Sequence, residues 1–219
     1  MRAAFRSEGW KTVRVFVIAG LIPLGGLLAC AIVALLGLLV FSILAGEPTP
    51  DRPFTALDFF PAEDALPADY RIAQAPQPAG PGTSLGIGDD DDAYAVYAPR
   101  HSPYGWVTLF VFRENYSNFV NHEYDYWMIF QRDEFVPKQV AFRSNRAQRY
   151  TIGCARESGI DGRGAIGWRC TYLARYDEFT VNLIAVVGPE YLSWSEFQTL
   201  IEAIDARAVQ LLGPIEVAP

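Results

Sequence analysis

Histidine appears only as His101 and His122, lysine only as Lys11 and Lys138, and cysteine only as Cys30, Cys154 and Cys170. Each shortage closes a class of chemistry. Two thiols make no zinc site without further ligands, and neither histidine stands in ligand spacing to them or to the other. No C-x-x-C-H run is present for covalent haem, no H-E-x-x-H for a metalloprotease and no lysine-bearing phosphate loop. Neither histidine lies beside a serine or cysteine in a nucleophile context, and the carboxylate pairs Asp133-Glu134 and Asp177-Glu178 read as turn residues. The sequence therefore leads to a non-enzyme, with no catalytic residue, no cofactor and no metal ligand expected.

Charge is missing altogether from Pro23 to Ala45, whose one hydroxyl is Ser42. A helix rises about 1.5 Å per residue and a bilayer core is about 30 Å thick, so roughly twenty such residues cross it. One transmembrane helix is expected over 23–46. Residues 1–22 read as a cytoplasmic tail and interfacial lead-in with Trp10 as an anchor. Arg2, Arg6, Lys11 and Arg14 precede the span against Glu8 alone, whereas Arg52 follows it among Glu47, Asp51, Asp58, Glu63 and Asp64. Positive flanks stay inside, so the N-terminus is expected in the cytoplasm and the chain after the span outside. A cleaved leader has an apolar region of only about 7–15 residues, which favours retention as an anchor in the cell membrane. Leu27-Leu28-Ala29-Cys30 resembles a lipoprotein box, but the apolar run continues past Cys30 where a polar tether would follow. Gly26, Cys30, Ala34 and Gly37 form a small-residue stripe of the kind that lets membrane helices approach, a candidate packing face for another subunit.

Beyond residue 46 the chain holds 14 Lys+Arg and 24 Asp+Glu, a net of −10. With that charge and compartment, nucleic acid is excluded as a partner, leaving membrane lipid and other membrane-protein subunits. Residues 47–67 carry five prolines and read as a stiff tether, although Phe54, Leu57, Phe59 and Phe60 call for something to pack on. The α+β domain is expected over 68–213, with a tail at 214–219. A short strand near Tyr70–Ala73 precedes a Pro/Gly loop at Ala75–Asp92 that closes on four aspartates. Four adjacent aspartates lack the alternation and central glycine of a calcium loop, so a solvated acidic turn is expected. Ala93–Ala98 and Gly105–Arg113 read as strands. Asn115–Arg132 fits both strand-type composition and a helical stripe, and a helix capped by Ser117 suits the spacing. Asn115-Tyr116-Ser117 spells a glycosylation acceptor, with nothing to indicate a host that uses it.

The cysteine pair is the best-determined feature of the domain. Glycines at Asp161-Gly162-Arg163-Gly164 mark a hairpin tip. Folding there places residues whose numbers sum to 324 opposite each other, Cys154 with Cys170 among them, and directly opposed non-hydrogen-bonded residues lie within disulfide reach. A bridge agrees with an oxidising compartment, the same side of the membrane that the flanking charges give.

That register sorts side chains onto faces. Tyr150, Ile152, Cys154, Trp168, Cys170 and Tyr172, joined through a turn at Asp177-Glu178 by Phe179, Val181, Leu183, Ala185 and Val187, form the expected core. Arg149, Thr151, Arg169, Thr171, Arg175, Thr180 and Asn182 share the other face, expected to be wet or to meet a partner. Seven arginines lie between Arg143 and Arg175 against two acids. Arg149, Arg169 and Arg175 are thus the candidate anion or partner face, the alternative being pairing with the domain's own carboxylates. Ser193-Trp194-Ser195-Glu196 is a capping box, and Phe197, Leu200, Ile201, Ile204, Ala208 and Leu211 mark an amphipathic helix ending at Gly213-Pro214 that should cover the core face of an antiparallel sheet.

The run Cys170–Val187 (CTYLARYDEFTVNLIAVV) followed by a helix ending Ile201–Ala208 (IEAIDARA) resembles the C-terminal half of uncharacterised single-span or lipid-anchored bacterial extracytoplasmic proteins. The resemblance implies two paired strands before a terminal helix, and no activity. The expected function is a non-catalytic single-pass membrane subunit whose extracytoplasmic domain assembles or stabilises a larger membrane complex, respiratory and photosynthetic electron-transfer complexes being a class rich in such subunits. The alternative is a stand-alone membrane-anchored ligand-binding or sensory domain.

Overall fold

The computed structural model describes residues 30–79, 91–100, 105–130, 134–158 and 166–214. Two compact units divide the chain, Met1–Gly46 and Glu47–Pro219. In the first, residues 30–45 form helix α1. Of the span expected at 23–46, residues 23–29 lie outside the described residues, as does the whole of 1–22. Among the described residues no helix is long and apolar enough to cross a membrane. The ten large apolar side chains from Ile32 to Leu44 are 46–69% exposed and point in every direction around α1.

The second unit is built on one antiparallel six-stranded sheet in the order β1-β2-β3-β6-β5-β4. The strands are β1 Tyr70–Pro78, β2 Ala93–Pro99, β3 Val107–Arg113, β4 Arg149–Ser158, β5 Ile166–Tyr176 and β6 Phe179–Val187. Helix α2, Ser117–Phe130, joins β3 to β4, and α3, Trp194–Leu212, closes the domain. Each half is a three-strand meander, and antiparallel pairing of β3 with β6 from Val107↔Ala185 to Arg113↔Phe179 fuses them.

The β4–β5 hairpin keeps one register from Arg149↔Arg175 to Ser158↔Ile166, with Cys154 opposite Cys170 and the two joined as a disulfide. Backbone pairing explains the geometry. The N–H and C=O of Cys154 turn away from β5 and bond to Phe135 at 2.9 and 3.1 Å, so the cysteines form a non-hydrogen-bonded pair, with Cα atoms 4.1 Å apart. The tip at 161–164 lies outside the described residues.

Helix α3 begins as its capping box requires. Ser193 accepts from the Glu196 N–H while Glu196 accepts from the Ser193 N–H at 2.8 Å, and Gly213 ends the helix at φ +77°. Phe197, Leu200, Ile201, Ile204 and Ala208 are buried against Cys170, Tyr172, Phe179, Val181, Leu183 and Ala185. This is the core face that sequence alternation predicts, except that Tyr150, on the edge strand β4, is 38% exposed.

Within the segment 115–132, Ser117–Phe130 form helix α2, the alternative that the spacing favours. Three expectations give way to the structure in this part of the domain. Ser117 does not cap that helix: the Tyr116 carbonyl accepts from Phe119 and Val120, while the Ser117 hydroxyl receives the Glu47 N–H at 3.1 Å. Strand β1 runs on to Pro78 through the stretch read as loop, interrupted in register after Ile72 and after Gln74. An edge strand tolerates prolines because half its N–H groups need no ladder partner. The face expected to be wet is covered, because α2 lies over it: Trp127 stacks on Phe110 and Phe112 at 6.1 and 5.4 Å, and Thr180 and Asn182 are buried. Strand β6, sandwiched between α3 and α2, therefore carries the continuous run FTVNLIAVV rather than an alternating one.

Residues 47–67, read as a tether, are built into the domain. Ala56, Phe59, Phe60 and Leu66 belong to the core, and the Phe59 ring sits 4.4 Å from that of Phe179. Thr49 N–H donates to the Asn115 carbonyl at 2.8 Å and Pro48 forms an isolated antiparallel bridge with Tyr116, which ties the start of the segment to the entry of α2.

Candidate functional site

The two-residue connection between β5 and β6 is where three segments converge. Asp177 sits at φ +51°, a left-handed conformation that aspartate tolerates. Its carboxylate accepts from Arg52 Nη2 at 3.2 Å, from Arg146 Nη2 and from Gln148 Nε2. Next to it Glu178 has no exposed side chain and receives Arg52 Nε at 2.8 Å and Nη2 at 3.3 Å. The hydrogen bond to Glu178 raises the Arg52 pKa above its ordinary value against the cost of burial, with the charges of Glu178 and Asp177 adding to it.

A cleft of about 450 Å³ opens beside this clamp, lined among others by Glu47, Arg52, Ser117, Asn121, Arg175 and Asp177. Its volume suits a small ligand. Arg175 donates from Nη1 to Asn121 Oδ1, its Nε is buried without a partner, and it forms no ion pair among the described residues. Burial lowers its pKa, the facing Arg149 lowers it further, and Asp177 opposes both. Arg175 is therefore a cation in want of an anion, whereas Arg52 is held by two carboxylates.

The candidate arginine face divides. Arg149 and Arg175 are cross-strand neighbours, but Arg149 pairs with Asp125 at 3.0 Å and lies over the Tyr124 ring at 4.4 Å. Arg169 stands six residues along β5 from Arg175, roughly 20 Å at 3.3 Å per residue, beside Glu157 at 3.9 Å. Only Arg175 faces the cleft. In the stripe on α1, Cys30 is free and exposed, Ala34 is exposed, and a Cβ added at Gly37 would meet nothing within 4 Å. Gly26 lies outside the described residues, as does His101.

Three buried acids escaped the sequence reading. Asp205 on α3 accepts from the Ser144 hydroxyl, from Asn145 N–H at 2.8 Å and from Tyr176 Oη at 3.1 Å, with Tyr172 Oη 2.6 Å from Tyr176 Oη. The signal was available, because position 205 follows Ile201 by one turn on the buried stripe. Glu123, a buried residue of α2, accepts from Trp127 Nε1 one turn on at 2.7 Å. Burial raises its pKa; that hydrogen bond opposes the rise, the nearby Asp92 adds to it and His122 lowers it. Asp92 is itself buried and accepts from the Arg113 N–H at 3.1 Å.

Two motif spellings were also passed over. Gly162-Arg163-Gly164-Ala165-Ile166-Gly167 has the spacing of a dinucleotide fingerprint, but it joins two antiparallel strands, where no helix follows to receive a pyrophosphate. Gly82-Thr83-Ser84-Leu85-Gly86 spells G-x-S-x-G and lies outside the described residues. Among the described residues no group of three His, Cys, Asp or Glu side chains could hold a metal ion.

This is an α+β domain with a disulfide-tied hairpin and a polar cleft. Comparison with protein-family models, curated proteins and solved structures gives no match.

Proposed function

We propose that the chain is a non-catalytic single-pass membrane subunit, N-terminus in the cytoplasm, whose extracytoplasmic domain assembles or stabilises a larger membrane complex. The carrying observation is α1: an uncharged helix with large apolar side chains exposed on every side is suited to lipid and to other apolar helices, and poorly suited to water. The Cys154–Cys170 bridge supports an oxidising compartment for the domain.

Purification of the tagged protein from its own membranes in mild detergent, followed by native gel and mass spectrometry, tests the reading. Stoichiometric companions that disappear when Gly26 and Ala34 are replaced by leucine are expected. A lone, monodisperse chain contradicts it and favours the second reading, a membrane-anchored ligand-binding domain, for which the cleft at Arg175 speaks.

A further inference from the structure

The first turn of α2 sets Ser117, Val120 and Asn121 on one side of the helix, and all of them line the cleft. Arg175 meets that side through a single hydrogen bond, from Nη1 to Asn121 Oδ1, and Asn121 Nδ2 donates in turn to the Ser117 carbonyl at 3.4 Å. The other guanidinium N–H groups have no acceptor among the described residues: Nε is buried without one, and no carboxylate lies within ion-pair distance. The Ser117 hydroxyl accepts the Glu47 N–H at 3.1 Å and has its own proton left to donate. Every lining residue belongs to the second compact unit, so the cleft owes nothing to α1.

The remaining walls limit the charge and the body of an occupant. Asp177 and Glu178 are already held by Arg52, Arg146 and Gln148, so they ask for no further cation, and as carboxylates they repel a second negative charge. Pro48, Pro50 and Val120 add apolar wall. An occupant that completes the site brings one negative charge to Arg175, spread over oxygens that a guanidinium can grip, on a body without further charge.

We propose that this cleft binds a small organic monocarboxylate, its carboxylate on the Arg175 guanidinium and its uncharged body against Pro48, Pro50 and Val120. The planar fork of a guanidinium matches the two oxygens of a carboxylate and holds them through charge-assisted hydrogen bonds. The inference gives the second, ligand-binding reading a chemical class and rests on that reading; the anchoring of α1 plays no part in it.

The test uses the full chain in detergent, titrated calorimetrically with benzoate, with benzamide as its uncharged counterpart and with inorganic phosphate at pH 8. Saturable binding of a single benzoate is expected, about tenfold or more tighter than either of the others. Arg175→Gln should weaken benzoate by about tenfold or more, the scale of one lost charge-assisted contact. Asn121→Asp, an isosteric change at a half-buried position, supplies the missing carboxylate from within the chain. It should raise Tm by about 2–4 °C, the effect of one new ion pair in a domain of this size, and weaken benzoate by the same factor. Phosphate bound as tightly as benzoate, benzoate binding indifferent to both variants, or an Asn121→Asp chain neither stabilised nor weakened in binding would overturn the proposal. Benzamide bound as tightly as benzoate defeats the ligand class alone and leaves a ligand-binding cleft, whereas no saturable binding of any probe defeats both.

Discussion

Replacing Arg52 by methionine should destabilise the domain far more than a surface ion pair would. The structure sets the scale. Glu178 is fully buried and takes two hydrogen bonds from Arg52, and no other cation lies within ion-pair distance of it among the described residues. Removing one partner of a buried pair costs about 3–5 kcal/mol because the other charge is left uncompensated. Arg52 keeps 24% of its side chain in solvent, which screens the interaction and brings the expectation to about 2–3 kcal/mol. Asp177 contributes little to that loss, since it retains Arg146 and is itself partly solvated. With a urea m-value of about 2 kcal/mol/M, the midpoint should fall by about 1 M. Tryptophan fluorescence of the detergent-solubilised protein reads it. Glu178→Gln in the Arg52→Met background should then recover stability, since no buried charge remains. A loss below about 0.5 kcal/mol, or no recovery in the double variant, would refute the clamp.

Other perturbations follow from the same packing. Cys154→Ala with Cys170→Ala opens a loop of sequence separation 16 and should cost about 3 kcal/mol, a fall in Tm of roughly 6–12 °C for a domain of this size by calorimetry. Phe59→Ala empties a fully buried site against Phe179 and should cost about 3–5 kcal/mol in the same denaturation assay. Glu123 has its folded pKa raised above the ordinary 4.5 by burial, so its favourable contribution is complete below that value and is lost as pH rises through the folded pKa. Glu123→Gln, which keeps an acceptor for Trp127, should therefore match the parent near pH 4 and exceed it at pH 7 in a pH series of melts. Tyr97 is buried with no partner for its hydroxyl among the described residues, and burial pushes its pKa up; Tyr97→Phe should stabilise by about 1 kcal/mol.

Local periodicity made half of this domain readable. A hairpin has one register once its tip is placed, which is why Cys154 and Cys170 could be paired by position, and a capping box with an apolar stripe defines α3 without tertiary information. What escaped depends on contacts distant in sequence. Pairing of β3 with β6 joins residues 107–113 to 179–185, and no short-range pattern encodes it. Because α2 then covers the second sheet face, Thr180 and Asn182 read as solvent residues yet are buried, and the arginine face reduces to Arg175 at one end. Proline in residues 47–67 reads as a linker, whereas Phe59 and Phe60, together with Arg52 on Glu178, make that segment part of the core and rim of the cleft. Asp177 and Glu178 were correctly placed in a turn, but nothing in their neighbourhood announces that their partner is 125 residues away.

The proposed topology puts residues 47–219 on the far side of the membrane from the cytoplasm. A membrane-impermeant protease added to spheroplasts, in which the cytoplasmic membrane is the only barrier, tests this most directly on an N-terminally tagged chain, read by blotting before and after lysis. Loss of the domain from intact spheroplasts is expected, with the tag protected and membrane-bound. A domain digested only after lysis would contradict the topology.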